Sequence, residues 1–206
     1  MTREEMLQDL AYARTLAEEG RHAPLLGGAH LLFWGVLNAL AFTGQWSILS
    51  GRLPHMEGAA FAVLWMSYGL VAAIGMTILR MRVRTKPGVT TIGARAERAV
   101  WAGAGLAVLA VAAGSIARMI LDSDWTAPNA IMGGAFALYG AALIATAMMS
   151  EQHWLNAFGW LAVLVAGVLC LFANQPWVYL IAAAGSLLTL AAPGIILLRR
   201  EPSAVV

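Results

Sequence analysis

Six apolar runs constrain this chain more than any other feature: 25–49, 58–79, 99–121, 126–149, 154–173 and 177–198. Each is close to the ~20 residues that an α-helix needs to cross a hydrocarbon core of ~30 Å. Five contain no charged side chain, and the third contains one, Arg118. Hydrocarbon offers no partner to a backbone N–H or C=O, so such runs fold as helices that satisfy their own backbone. A membrane barrel would need alternating segments of about ten residues, and the sequence has none. The expected fold is all-α: a polytopic membrane protein with a six-transmembrane-helix bundle over 23–200. A short amphipathic cytoplasmic helix at 1–22 precedes it, and a cytoplasmic tail at 201–206 follows.

Composition agrees with that assignment. Hydrophobic residues make up 60% of the chain and charged residues only 12%, where a soluble domain has about a quarter charged. The connectors carry helix-ending chemistry. Gly51, Arg52, Pro54 and His55 divide the first pair of runs, Asp122, Ser123 and Asp124 precede Pro128, and Asn174, Gln175 and Pro176 divide the last pair.

Lys and Arg set the orientation, because cytoplasmic loops hold most of the basic residues. Six spans put Arg3, Arg14 and Arg21, the segment 80–98, and Arg199 and Arg200 on one side. That is eleven of the thirteen basic residues, with Arg52 and Arg118 on the other. Both termini are therefore expected in the cytoplasm. Trp46, Trp125 and Trp177 mark outer span ends, Trp101 and Trp154 mark inner ones, and Trp34, Trp65 and Trp160 lie deeper, as packing residues. Twelve Arg against one Lys in an Ala- and Gly-rich chain point to a GC-rich bacterial genome, hence to a bacterial inner membrane. The first 22 residues lack the basic and apolar regions of a secretory leader, and none is expected.

Polar residues at membrane depth are the functional candidates. In the first run His30, Trp34, Asn38, Ala41 and Gln45 follow helical spacing and form one stripe. Asn38 is central, with His30 about 12 Å to one side and Gln45 about 10 Å to the other. Tyr68, Ser67, Tyr139, Ser186 and Thr189 also fall near the middle of their runs. The candidate binding set is His30, Asn38, Gln45, Tyr68, Tyr139 and Arg118. The competing reading makes the midspan residues interhelical hydrogen-bonding partners, at about 0.6–2 kcal/mol each. Arg118 has its own alternatives. One is an i, i+4 pair with Asp122, with the arginine snorkelling to the interface. The other is an anion site beside the start of the fourth run.

Small residues at spacing four, such as Gly103 with Ala107, Ala110 with Gly114 and Gly133 with Ala137, are candidates for close helix contacts. Gly27-Gly28-Ala29 and Gly133-Gly134-Ala135, with Ala112–Ser115 and Ala183–Ser186, leave a three-plus-three inverted repeat and three repeated hairpins both open.

Several chemistries are disfavoured. No Asp or Glu falls inside a run, so the buried carboxylate of a coupled carrier is missing. No Lys does either, which excludes a retinal Schiff base. His30 is the one deep histidine, so a bis-histidine haem has no second ligand. The Gly-x-Ser motif of intramembrane serine proteases, phosphate-binding glycine loops and HExxH are absent. No catalytic residue, metal site or cofactor is expected, and the chain is not read as an enzyme. His55, Met56, Glu57, Asp122 and Asp124 have no diagnostic ligand spacing. One cysteine, Cys170, allows no internal disulfide, and a net charge of +2 implies no nucleic-acid partner.

Two functional classes follow, both with the lipid bilayer as surroundings. One is a small passive transporter or channel-like protein using the first-run stripe. The other is a membrane-embedded accessory or regulatory subunit that binds a protein partner through its cytoplasmic helix and basic 80–98 loop. A homo-oligomer fits either. Residues 2–19 read as an amphipathic helix, with Thr2 and Glu5 as a capping box, Met6, Leu10, Ala13 and Ala17 on one face, and Gly20 as its stop. The segment to Arg21 carries a net −2, and 80–98 a net +5, so the helix is expected to dock on the loop. Reversing the charge of Glu18 and Glu19 should loosen that contact, read as faster proteolysis within residues 1–20; an unchanged cleavage rate would contradict it.

Overall fold

The computed structural model describes residues 7–12, 25–52, 59–84, 86, 89 and 91–200. Among these the chain is all-helical, without strands. The long helices are α1 (Gly28–Leu49), α2 (Ala59–Arg84), α3 (Ile92–Leu121), α4 (Ala130–Met149, after a 3-10 turn at Ala127–Asn129), α5 (Leu155–Leu171) and α6 (Val178–Arg200). Five are long and apolar enough to cross a membrane, and α5, with 17 residues, is a shorter apolar helix. Residues 7–12 are helical, with Leu7, Leu10 and Tyr12 exposed. The capping box, Gly20 and the proposed contact of Glu18 and Glu19 lie outside the described residues.

Helix ends follow from local chemistry. Thr91 caps α3 by accepting a hydrogen bond from the Ala94 N–H at 3.3 Å. Pro128 sits in the first turn leading into α4, where its missing N–H has no intrahelical partner to lose. Helices α1, α3 and α4 each end at a residue in the left-handed region, Gly51, Ser123 and Glu151 in turn, which turns the chain out of the helix.

The segment 80–98 is not the loop its charge predicted. Helix α2 runs on through Arg80, Arg82 and Arg84, and α3 begins early enough to include Arg95, Glu97 and Arg98. Arginine is a good helix former, and a long cationic side chain reaches polar surroundings without ending the helix. One side-chain bond fastens the remaining short connector: Arg98 donates to the Val89 carbonyl at 2.8 Å, and its Nε donates back to the Ala94 carbonyl of its own helix at 3.1 Å.

Helix α3 consequently carries a carboxylate, contrary to the sequence reading. Glu97 is buried, with 5% exposure. Its two oxygens accept from the Leu26 N–H at 3.1 Å and the Gly27 N–H at 3.2 Å. Gly27 has no side chain with which to cap α1, so a residue 70 positions away places negative charge at that N-terminus.

Sequence neighbours adjoin except for α2 and α3, and α6 closes back onto α1. Helices α1, α4, α5 and α6 supply most of the core. One cluster includes Phe42, Phe136, Ala162 and Tyr179, and a second includes Leu31, Leu143, Leu155 and Leu190. By contrast, α2 leans chiefly on α1, and α3 on α4. The matched glycine motifs differ in their surroundings: Gly28 faces α6, whereas Gly133 faces α5.

The close approaches also differ from those expected. Nothing lies within 4 Å of a side-chain position on Gly103 or Gly114 and Ala137 is exposed, whereas Gly133 does pack closely, against Cys170 and Ala166 of α5. The intimate contacts are α1 with α6 and α4 with α5. A Cβ on Gly35 would stand 2.8 Å from Ala191 Cβ, and one on Gly194 2.8 Å from the Gly28 carbonyl. Between α4 and α5, a Cβ on Gly140 would stand 2.8 Å from the Gly159 carbonyl. Trp160, expected to pack, points outward with 61% exposure.

Helix α6 contains a π-turn at Leu187–Ala191, where the Ala192 N–H reaches back to the Leu187 carbonyl. Pro193 follows directly and has no N–H to give. The wider turn takes up the break in the ladder without ending the helix.

Gly35→Leu should therefore lower stability by about 1–3 kcal/mol, read as a lower unfolding temperature in detergent. Gly69→Leu, with nothing within 4 Å, should stay within about 0.5 kcal/mol of the parent.

Candidate functional site

Asn38 is buried halfway along α1, with 4% exposure. The Tyr68 hydroxyl of α2 donates to its Oδ1 at 2.7 Å, and Tyr139 of α4 stands beside the same side chain. Three helices thus converge on one carboxamide. Asn38 carries acceptor and donor atoms on one group, which suits it to serve more than one neighbour.

Aromatic rings enclose this node. The Trp34 ring is 6.3 Å from Tyr68, Trp65 is 5.3 Å from Tyr68, and Phe136 and Trp101 lie 6.1 and 6.4 Å from Tyr139. Edge-on and tilted geometries of this kind suit the ring quadrupoles and keep apolar surface around the polar atoms.

Two turns farther along α1, Gln45 belongs to a second polar group. Its Oε1 accepts from the Trp65 indole N–H at 2.9 Å, and its side chain stands beside Tyr179 of α6. The Tyr179 hydroxyl donates to Asn129 Oδ1 at 2.6 Å, and Asn129 Nδ2 donates to Asn174 Oδ1 at 3.1 Å. Polar side chains therefore run from the middle of the bundle to the end holding the 122–129 connector.

The structure brings Asn38, Tyr68 and Tyr139 together and places Gln45 in the adjoining group. His30 lies toward the other end of α1, half-buried. Ser186 and Thr189 are fully buried, but each hydroxyl donates to its own helix, to the Ala182 and Gly185 carbonyls at 2.8 Å. Ser67 likewise bonds back to Leu64. The sequence reading takes Trp65 as a packing residue and Asn174 as part of a connector, and does not single out Tyr179 or Asn129. What signalled them was position: Trp65 is three residues before Tyr68 on the same helix, and Asn129 and Asn174 border facing helix ends.

Arg118 stands apart from all of this. It lies 3.8 Å from Asp122 and forms a closer pair with Asp124 at 2.9 Å. The Thr126 hydroxyl and N–H both donate to Asp124. With two carboxylates already around the guanidinium, the geometry gives an anion no advantage there. His55, Met56 and Glu57 lie outside the described residues. Among the described residues no three His, Cys, Asp or Glu side chains gather in a way that could hold a metal.

Removing the Asn38 carboxamide should test the node. Asn38→Leu leaves the Tyr68 hydroxyl without that partner and should lower stability by about 0.6–2 kcal/mol, measured by thermal unfolding. For the connector, the Thr126 donors first and Arg118 second hold the Asp124 carboxyl below its ordinary 3.8. A depressed carboxyl stabilises fully above its ordinary pKa and loses that contribution as pH falls through the lowered one. Order in the 122–129 connector should therefore decline only in strong acid, and Asp124→Asn should abolish that step, read by proteolysis against pH.

No family model matches the chain, and no match is found among curated proteins or solved structures.

Proposed function

We propose that the chain is a six-span protein of a bacterial inner membrane, with both termini cytoplasmic, that acts as a small passive transporter or channel-like protein. Its solute is neutral and hydrogen-bonding. The carrying observation is the Asn38 carboxamide, buried halfway along the bundle, bonded to Tyr68 and flanked by Tyr139 inside an aromatic enclosure. A carboxamide between two phenols offers donors and acceptors without charge, which is what a neutral polar solute needs when it leaves water. Gln45 and the bonded series Tyr179–Asn129–Asn174 supply the outward steps of a path.

The absence of a carboxylate or basic side chain from the node supports passive rather than ion-coupled movement. Glu97 does not change that reading, since both its oxygens are engaged by the Leu26 and Gly27 amides at a helix end. For α5, 17 residues give about 25 Å, within the range of short spans. The eleven-to-two division of basic residues supports the orientation.

A second reading, an accessory or regulatory subunit, has its own support. Helices α2 and α3 expose most of their apolar surface and rest on one neighbour each. Reconstituted vesicles distinguish the two. On the transport reading, osmotic swelling with a series of neutral solutes is faster than in empty vesicles, and Asn38→Leu abolishes the difference while the protein stays folded. Swelling that never exceeds that of empty vesicles, together with a stoichiometric partner retained in mild detergent, would overturn it in favour of the second.

A further inference from the structure

The bonded polar series leads from the middle of the bundle toward the 122–129 connector. The opposite half is chiefly apolar, with Leu31, Leu143 and Leu190 buried and Trp34 and Trp101 packed against them. One hydroxyl is enclosed in that half. Thr146 of α4 is 3% exposed, and its Oγ1 has no hydrogen-bond partner among the described residues. Other span threonines behave differently: Thr43, Thr77 and Thr189 each donate to the carbonyl four residues back at 2.8 Å. A buried hydroxyl left unpaired is costly, and a valine of the same shape would avoid the cost.

Helical phase relates this hydroxyl to the polar node. Thr146 follows Tyr139 by seven residues, close to two full turns, so both side chains leave α4 on one face. The step along the helix is about 10 Å. On α1, Gln45 follows Asn38 by the same spacing, but α1 and α4 run in opposite directions. Helix α6 shows this. It is antiparallel to α1, with Gly194 against Gly28 and Phe42 beside Tyr179. It is parallel to α4, with Tyr179 bonded to Asn129 and Gly185 against Phe136. Gln45 therefore continues from the node toward one end of the bundle, and Thr146 toward the other.

We propose that Thr146 is a second hydrogen-bonding station for the neutral solute, one step inward of the node formed by Asn38, Tyr68 and Tyr139. The inference rests on the transport reading above. A solute leaving the node inward enters leucine-rich surroundings, where a polar group without a partner is costly. The Thr146 hydroxyl can donate to it and accept from it without first giving up a bond within the protein. Ser186 and Thr189 are buried too, but their hydroxyls are engaged by their own helix. Leu143 lies between Tyr139 and Thr146 on α4 and is fully buried. The inner step is thus closed in this structure, and passage requires that layer to part.

The test is osmotic swelling of vesicles holding the whole protein, with glycerol, urea and acetamide as probes. Thr146→Val keeps the shape and removes the hydroxyl. It should slow the parent's fastest probe about fivefold, the effect of one net hydrogen bond. Its unfolding temperature in detergent should equal or exceed the parent's, because no unpaired hydroxyl remains. Lost rate without lost stability is a result that a merely structural threonine would not give. Thr146→Ser should restore most of the rate, and Thr146→Ala should not. Thr77→Val, on an exposed part of α2 where the hydroxyl bonds to the Ala73 carbonyl, should leave the rate unchanged. A parent that swells, with Thr146→Val swelling equally fast, would overturn this inference alone. Equal slowing by Thr77→Val would do the same. A parent no faster than empty vesicles would overturn the transport reading and this inference with it.

Discussion

Hydrocarbon gives no hydrogen bond, so each polar group carried into it must find a partner inside the protein. Much of this structure can be read as the consequence. Short hydroxyls answer locally: Thr43, Thr77, Ser186 and Thr189 each donate to the carbonyl four residues back. Longer side chains cannot do so, and they reach across helices instead. Tyr68 meets Asn38, Trp65 meets Gln45, and Tyr179 meets Asn129. The α1 N-terminus, capped by a glycine, takes the Glu97 carboxylate from α3. Among the described residues Thr146 Oγ1 and Asn156 Oδ1 are buried without a partner, both on the α4–α5 hairpin.

Apolar packing then decides which polar groups can meet. Apolar burial drives no association between helices in lipid, so close backbone approach carries the contact. Gly28, Gly35 and Gly194 let α1 and α6 approach, and Gly140 and Gly159 do the same for α4 and α5. These two tight pairs hold the enclosed core between them. Helix α2 is brought in by aromatic and polar contacts: the Phe33 ring occupies the space beside Gly75, and Tyr68 reaches Asn38. The polar node thus joins a rigid part of the bundle to a more loosely held helix.

Much of this was legible before any coordinates. Runs of apolar residues marked the helices, and the spacing of Asn38 and Gln45 placed them on one stripe. Tyr68 and Tyr139 were legible as midspan residues, though not as partners of Asn38, because spacing within one helix says nothing of which helix stands opposite. Glu97 was misread for a related reason. A hydropathy run stops at the first charge, while the helix continues as long as its backbone bonds are made. Glycine contacts were the least legible. In a chain rich in Gly and Ala, Gly35 and Gly103 look alike in sequence, and only the neighbour at each site distinguishes them.

The π-turn of α6 has a consequence for the helix as a whole. An extra residue in one turn shifts the phase of everything after it by about 100°. The half before Leu187 sets Tyr179, Ala182 and Ala183 into the core beside Phe136, and the half after it sets Gly194 and Leu197 against the start of α1. Tyr179, Ala182, Ala183, Gly194 and Leu197 would fall within about 120° of one another at α-helical spacing, so the widened turn rotates the second half around one stripe rather than creating a second face. Its service is to the backbone: it carries the ladder past Pro193, which has no N–H to give. A deletion of one residue within 187–191 would draw the turn back to α-helical spacing and set the proline ring against the carbonyl one turn before it.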